Sequence, residues 1–293
     1  MASMSAARAL KPLSLALLLS QAAIVVTGGA VRLTGSGLGC PTWPECTPGS
    51  YFPVENQVEG TFHSWIEFGN RLLTFVLVIF ALATLIAVLR SGRKDLRILA
   101  AGQFLGIFGQ GVLGGITVLT DLNPLTVASH FLLSIVLIAG ATSLHSRRKG
   151  PAVRTGIQGA ISRYSKIHVT WTSVAIVLGT IVTAAGPHAG DSDVPRLDVA
   201  MQDVARMHSI SVILLMLLTI AFYRRSELTA LTKHRIGIFF LISIAQGALG
   251  YIQYFLGVPE LLVGLHILGT TLVWIGAWRI WLSVQFRAKE MAL

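Results

Sequence analysis

Long apolar runs, separated by short polar stretches rich in Arg, Gly and Pro, organise this chain. Eight can be read, at about 11–31, 66–89, 98–119, 125–145, 167–186, 207–223, 236–256 and 261–282. Each is close to the roughly 20 residues that carry a helix across a bilayer core. The pattern therefore predicts an all-α integral membrane protein with eight transmembrane helices. The first run follows Arg8 and Lys11 in the manner of a secretory signal. No small-residue cleavage site ends it, however, and further spans follow, so it is read as a retained helix.

Composition agrees with that pattern, because 53% apolar residues, 12% charged residues and a mean hydropathy of +0.70 exclude a soluble globule and make the lipid bilayer the solvent. Charge adds an orientation. The ends that carry Arg8 and Lys11, the Arg90–Arg97, Arg147–Lys166 and Arg224–Arg235 loops, and the stretch from Arg279 to Lys289 hold all but four of the 23 Lys and Arg. Arg32, Arg71, Arg196 and Arg206 lie at the opposite ends. Basic residues favour the cytoplasmic side, so the expectation is a multi-pass protein of the cell membrane with both termini cytoplasmic. Topology accounts for the net charge of +10, and nucleic acid is not expected as a partner.

The only two cysteines, Cys40 and Cys46, share the loop after the first span, which this orientation places outside the cytoplasm. That side permits disulfides. Pro41 and Pro44 favour a turn that brings the two Cα atoms into bonding range, so a Cys40–Cys46 bridge is expected. It either staples the loop or takes part in redox chemistry, and the residues leave both readings open.

An internal repeat divides the chain. Gln110 opens QGVLGGITVLTDLNPLTVASHFLLS and Gln246 opens QGALGYIQYFLGVPELLVGLHILGT, an offset of 136 that also takes His130 to His266. A weaker echo links IVVTGGAVRLTGSG from Ile24 with TIVTAAGPHAG from Thr180. The chain reads as two tandem four-helix units, 1–150 and 151–293. Each has an even number of spans, so the two bundles are expected to be related by a pseudo-two-fold axis along the membrane normal. Small residues in the Q-G-x-L-G stretches suit close helix approach.

The histidines carry the candidate chemistry. His145, His168 and His234 fall at the cytoplasmic ends, where a basic juxtamembrane role is expected, while His63, His130, His188, His208 and His266 fall toward the outer side. His130, His208 and His266 sit in apolar helical context, where a polar side chain is costly without a partner. Facing histidines on the second and fourth helices of a bundle can hold a haem between them, and His208 and His266 form such a pair in the second unit. No Cys or acidic group clusters with them as a zinc site would require. In the first unit His130 faces a second helix that offers His63, Glu67, Asn70 and Arg71, of which the first three share one helical face. Glu67 is either an ion-pair partner of Arg71 or a histidine, or a proton acceptor and charge stabiliser at a reaction centre.

GGAVRLTGSGLGCPTWPEC after the first span, IEFGNR on the second, GPHAGD (Gly186 to Asp191) after the fifth, and a His in each Q-G-x-L-G unit together resemble the haem A synthase family over nearly the whole chain. The resemblance implies an oxidoreductase that converts the C8 methyl group of haem O to the formyl group of haem A for cytochrome oxidase. It implies haem b in the second unit, held by His208 and His266 as metal ligands, and haem O as substrate in the first unit near His130 and catalytic Glu67. Haem O synthase and the cytochrome oxidase assembly pathway are the implied partners. The family pattern on the second helix is Glu-x-x-His-Arg. Glu67 and Arg71 match it, whereas Asn70 stands where the family has a haem-ligating His. His63, about 10 Å along the helix from that position, cannot occupy the same place, so the haem sits higher or His130 ligates alone. A two-haem b-type electron-transfer cytochrome, a haem carrier or exporter and, more weakly, a disulfide oxidoreductase are the rival readings. The residues leave the oligomeric state unassigned.

Overall fold

The computed structural model describes residues 2–55, 57–150, 152–154 and 159–288. The expected boundary between the units abuts residue 151, which lies outside the described residues, as does Lys289 of the basic terminal stretch. Among the described residues eight α-helices span α1 Ala2–Leu33, α2 Thr61–Arg90, α3 Arg97–Leu119, α4 Pro124–Ser146, α5 Ala160–Ala185, α6 Met201–Tyr223, α7 Ala230–Phe255 and α8 Glu260–Gln285. All eight are long and apolar enough to cross a membrane. Large apolar side chains such as Phe75, Ile98 and Leu241 remain exposed on their outer faces, as contact with lipid requires. One addition to the helical reading is a short antiparallel ribbon, β1 Ala152–Arg154 with β2 Phe286–Ala288, which joins the segment before α5 to the end of α8.

Local chemistry sets the helix ends. Asn123 accepts a hydrogen bond from the Leu125 amide at 3.0 Å while Pro124 occupies the first turn of α4, where its missing N–H costs nothing. Thr229 caps α7 through the Thr232 amide. The tight α3–α4 and α7–α8 turns share one backbone solution. Leu122 and Val258, related by the 136-residue offset, both take positive φ (54° and 56°), and their amides bond back to the Thr117 and Gln253 carbonyls at 2.9 and 2.7 Å. A left-handed non-glycine residue is unfavourable for an L side chain. Its recurrence at equivalent places means that each turn must be this short to set the following helix against the one before.

Within the first four helices, α1 packs on α2 and α4, α2 on α3, and α3 on α4; within the last four, α5 packs on α6 and α8, α6 on α7, and α7 on α8. Contacts of α8 with α1 and α4, and of α4 with α5, join the two sets. Trp274 on α8 donates its indole N–H to the Ile135 carbonyl at 2.7 Å, and Trp278 donates to Ser143 Oγ at 2.7 Å, so both bury their polar edge in α4. Gly29 of α1 leaves no room for a side chain against Ile267 of α8, which brings α1 beside the helix that carries His266. Inside the first set, Leu17, Ala81, Ile138 and Ala141 are fully enclosed; Phe222, Phe239 and Ile280 fill the second.

Candidate functional site

The loop between α1 and α2 is folded onto the top of α2 by a single charged clamp. Cys40 and Cys46 are joined in a disulfide and are buried with Phe68, at 0% and 1% exposure. Gly39 runs so close to the His63 carbonyl that no Cβ would fit. Glu67 points up from α2 into this loop and is 6% exposed. Its Oε2 accepts the Cys40 amide at 2.8 Å, and its Oε1 accepts Arg71 Nη2 and Nε at 2.6 and 3.1 Å. Arg71 also donates to the carbonyls of Cys40 at 2.7 Å and of Thr42 and Glu45 at 3.1 Å each. A guanidinium has five N–H donors, and all are used here. Both carboxylate oxygens of Glu67 are therefore engaged by protein groups, and its charge is held at a fixed point below the disulfide.

His63 and Asn70 share the Glu67 face of α2, and each meets α1 or the loop that follows it. His63 Nδ1 pairs with Ser36 Oγ at 2.9 Å, and Asn70 Oδ1 accepts the Thr27 hydroxyl at 2.8 Å. The two sulfurs are too enclosed for an external thiol to reach while the clamp is closed. Cys40→Ser and Cys46→Ser are accordingly expected to lower stability by a similar amount, about 2 kcal/mol, with the double variant no worse than either single one. Melting in detergent measures this, and a mixed disulfide trapped in only one single variant would instead identify a relay.

The ligand candidates occupy a repeated setting. In each Q-G-x-L-G stretch the final glycine lies against the His twenty positions after its Gln: a Cβ at Gly114 would stand 3.3 Å from His130 Cε1, and one at Gly250 would stand 3.3 Å from His266 Cε1. Gly179 of α5 does the same for His208, at 3.1 Å. Glycine thus lets the Cε1 edge of each imidazole come close to the preceding helix. This use was not readable from the sequence, where small residues suggested helix contact alone. His208 Nδ1 lies 2.9 Å from the Ala175 carbonyl. A carbonyl can only accept, so Nδ1 carries the proton and Nε2 is the free lone pair, the arrangement that orients a metal-ligating histidine. The Nδ1 atoms of His130 and His266 are enclosed without a protein partner. Gln110, at the head of the first stretch, donates to the His130 carbonyl and to Ser134 Oγ at 3.2 and 2.6 Å, pinning α3 to the His130 turn. Among the described residues no group of three or more His, Cys, Asp or Glu gathers as a metal cluster. Imidazoles with a glycine-cleared approach, one of them with an oriented Nδ1, fit a haem better than a tetrahedral ion.

Three placements differ from the sequence reading or were missed by it. His168, expected at a helix end, lies two turns inside α5 at 0% exposure, with Nε2 3.1 Å from Thr219 Oγ1 and its ring 4.6 Å from that of Phe239. α5 begins earlier than its apolar run, so the residue is drawn into the bundle. Arg32 donates to the Thr183 carbonyl at 2.7 Å and to the His188 carbonyl. His188 Nε2 bonds the Val258 carbonyl at 2.7 Å, and the Gly37 amide bonds Gly190 at 2.9 Å. The GSGLG and GPHAGD segments thus stitch the ends of α1, α5 and α7 together. An arginine in the last turn of α1, just ahead of a glycine-rich loop, was the available signal.

Eight apolar helices, a disulfide cap and histidines laid on glycines define a polytopic membrane protein. The chain belongs to the cytochrome oxidase assembly protein family, whose model matches residues 12–195. It is similar to the heme A synthase of Geobacillus kaustophilus (strain HTA426), 31% identical over 110 residues that cover 36% of this chain and 32% of that protein. The heme A synthase of Geobacillus thermodenitrificans is 29% identical over 141 residues, 45% of this chain and 42% of the relative. That of Exiguobacterium sibiricum is 29% identical over 169 residues, 56% and 55%. The chain thus spans between a third and about half the length of these relatives.

Proposed function

We propose that this protein is a haem A synthase, which oxidises the C8 methyl group of haem O to the formyl group of haem A for cytochrome oxidase. The observation that carries the reading is His208, whose Nδ1 is held by Ala175 so that Nε2 is free, with His130 and His266 in glycine-backed positions that the repeat makes equivalent. On this reading His208 and His266 hold haem b in the half formed by residues 151–293. His130 holds haem O in the half formed by residues 1–150, the two halves being related by the pseudo-two-fold axis. A bound haem supplies the redox chemistry that an inert methyl group requires and side chains lack. Both termini are cytoplasmic and the Cys40–Cys46 loop faces outward. Haem O synthase delivers the substrate from within the same bilayer.

The protein's own residues then have separable tasks. The clamped loop closes the outer end of the substrate half, orients haem O against His130 and excludes bulk water. Glu67 holds a negative charge at that end, where it stabilises positive charge developing at the methyl carbon or takes up the proton released as oxygen is added. Glu67→Gln keeps the shape and removes the charge. Membranes of a deletion strain carrying this variant are expected to retain bound haem, lose haem A and accumulate haem O on extraction. Wild-type haem A levels would make Glu67 a purely structural ion-pair member. Haem A unaffected by deletion of the gene would favour a cytochrome or carrier instead.

A further inference from the structure

Four side chains on even-numbered helices lie beside glycines of the helix before: Asn70 at Gly28, His130 at Gly114, His208 at Gly179 and His266 at Gly250. Three are imidazoles and one is a carboxamide. Asn70 lies 138 residues before His208, two away from the 136-residue offset that equates His130 with His266, and the shared glycine-backed placement makes it the counterpart of His208. The carboxamide is held in one orientation. The Thr27 hydroxyl is 2.8 Å from Asn70 Oδ1 and 3.3 Å from the Ile24 carbonyl, and its single proton goes to the nearer acceptor. Oδ1 is thereby engaged. Nδ2 donates to no protein group among the described residues and lies 3.8 Å from where a Cβ at Gly28 would stand.

A carboxamide nitrogen has two protons and no free lone pair, so it does not compete for iron as an imidazole does. It can donate a hydrogen bond to whatever else binds there. We propose that Asn70, fixed by Thr27, is the hydrogen-bond donor of a binding site for a small exogenous ligand, a diatomic molecule or its anion, at the open axial position opposite His130. This rests on the reading that His130 holds a haem. It makes the two halves unlike: the His208–His266 half is closed to outside ligands and the half containing His130 is open to one.

The test uses the full-length protein, purified with its haems, with the haem-to-chain ratio measured first. The probes are carbon monoxide on the reduced protein and cyanide on the oxidised one. The wild type is expected to hold two haems and to bind each probe at one of them. Asn70→His should abolish carbon monoxide binding and convert the responsive haem to low spin. Asn70→Ala and Thr27→Val should leave carbon monoxide binding in place but weaken cyanide about tenfold or more, the effect of losing a hydrogen bond to a charged acceptor. Two haems that both refuse the probes, or cyanide affinity unchanged in Asn70→Ala, would overturn the inference while leaving haem binding by His130 intact. A single haem per chain, lost in His208→Ala, would remove the underlying reading and the inference with it. The haem count separates these failures.

Discussion

Purified His208→Ala and His266→Ala proteins are expected to lose the low-spin b-type haem. His208 is held by the Ala175 carbonyl at 2.9 Å and backed by Gly179, and His266 is backed by Gly250, so each ring is set by its neighbouring helix before any cofactor arrives. Such preorganisation concentrates affinity in the ligands themselves. Removing only the partner that orients a ligating histidine costs about 10–100-fold in metal affinity, so loss of a ligand should exceed about 100-fold. His168, the other enclosed histidine of that half, is already paired with Thr219 and packed against Phe222 and Phe239, so it is not free to substitute. His130→Ala should leave this low-spin signal in place, because it lies in the other set of helices. An unchanged low-spin spectrum in both His208→Ala and His266→Ala would refute the assignment.

All eight spans were legible because hydropathy over a bilayer width is a strong signal. Their ends were not. α2 begins at Thr61 and α6 at Met201, each about a turn or more before the apolar run, because those first turns carry His63 and Ser64, or Asp203 and Arg206. Polar residues at a helix mouth continue the helix while ending the hydropathy signal. The same effect hid the burial of His168. Repeat and histidine spacing could be read directly, since a 136-residue offset survives in the sequence. What the glycines do could not, because Gly114 and Gly250 look alike whether they clear a helix or a ring. The alternative that Glu67 pairs with Arg71 was visible as an i to i+4 spacing. That Arg71 also gathers the Cys40, Thr42 and Glu45 carbonyls depends on the loop path and has no sequence signature.

Arg71→Met is expected to disorder the disulfide-bonded cap more than any other single change in the first half. The substitution leaves three loop carbonyls without their donor and the 6%-exposed Glu67 carboxylate without its counter-charge. Breaking one side of a buried pair costs on the order of 3 kcal/mol. Arg71→Lys should recover only part of it, since an ammonium has three donors on a point charge where a five-donor fork is used. Adding Glu67→Gln to Arg71→Met removes the stranded charge, so the double variant should be less destabilised than the sum of the two single ones. Melting in detergent and amide exchange across residues 34–60 read the cap directly. Unchanged protection of that loop in Arg71→Met would mean that the disulfide holds it alone. Haem measurements separate the two members of the pair. Arg71→Met should lose haem from the His130 half in step with loop order, so that haem A output falls through loading. Glu67→Gln still offers an oxygen to the guanidinium and should keep that haem while output falls at constant loading. Equal loading losses in both would reduce Glu67 to a part of the clamp.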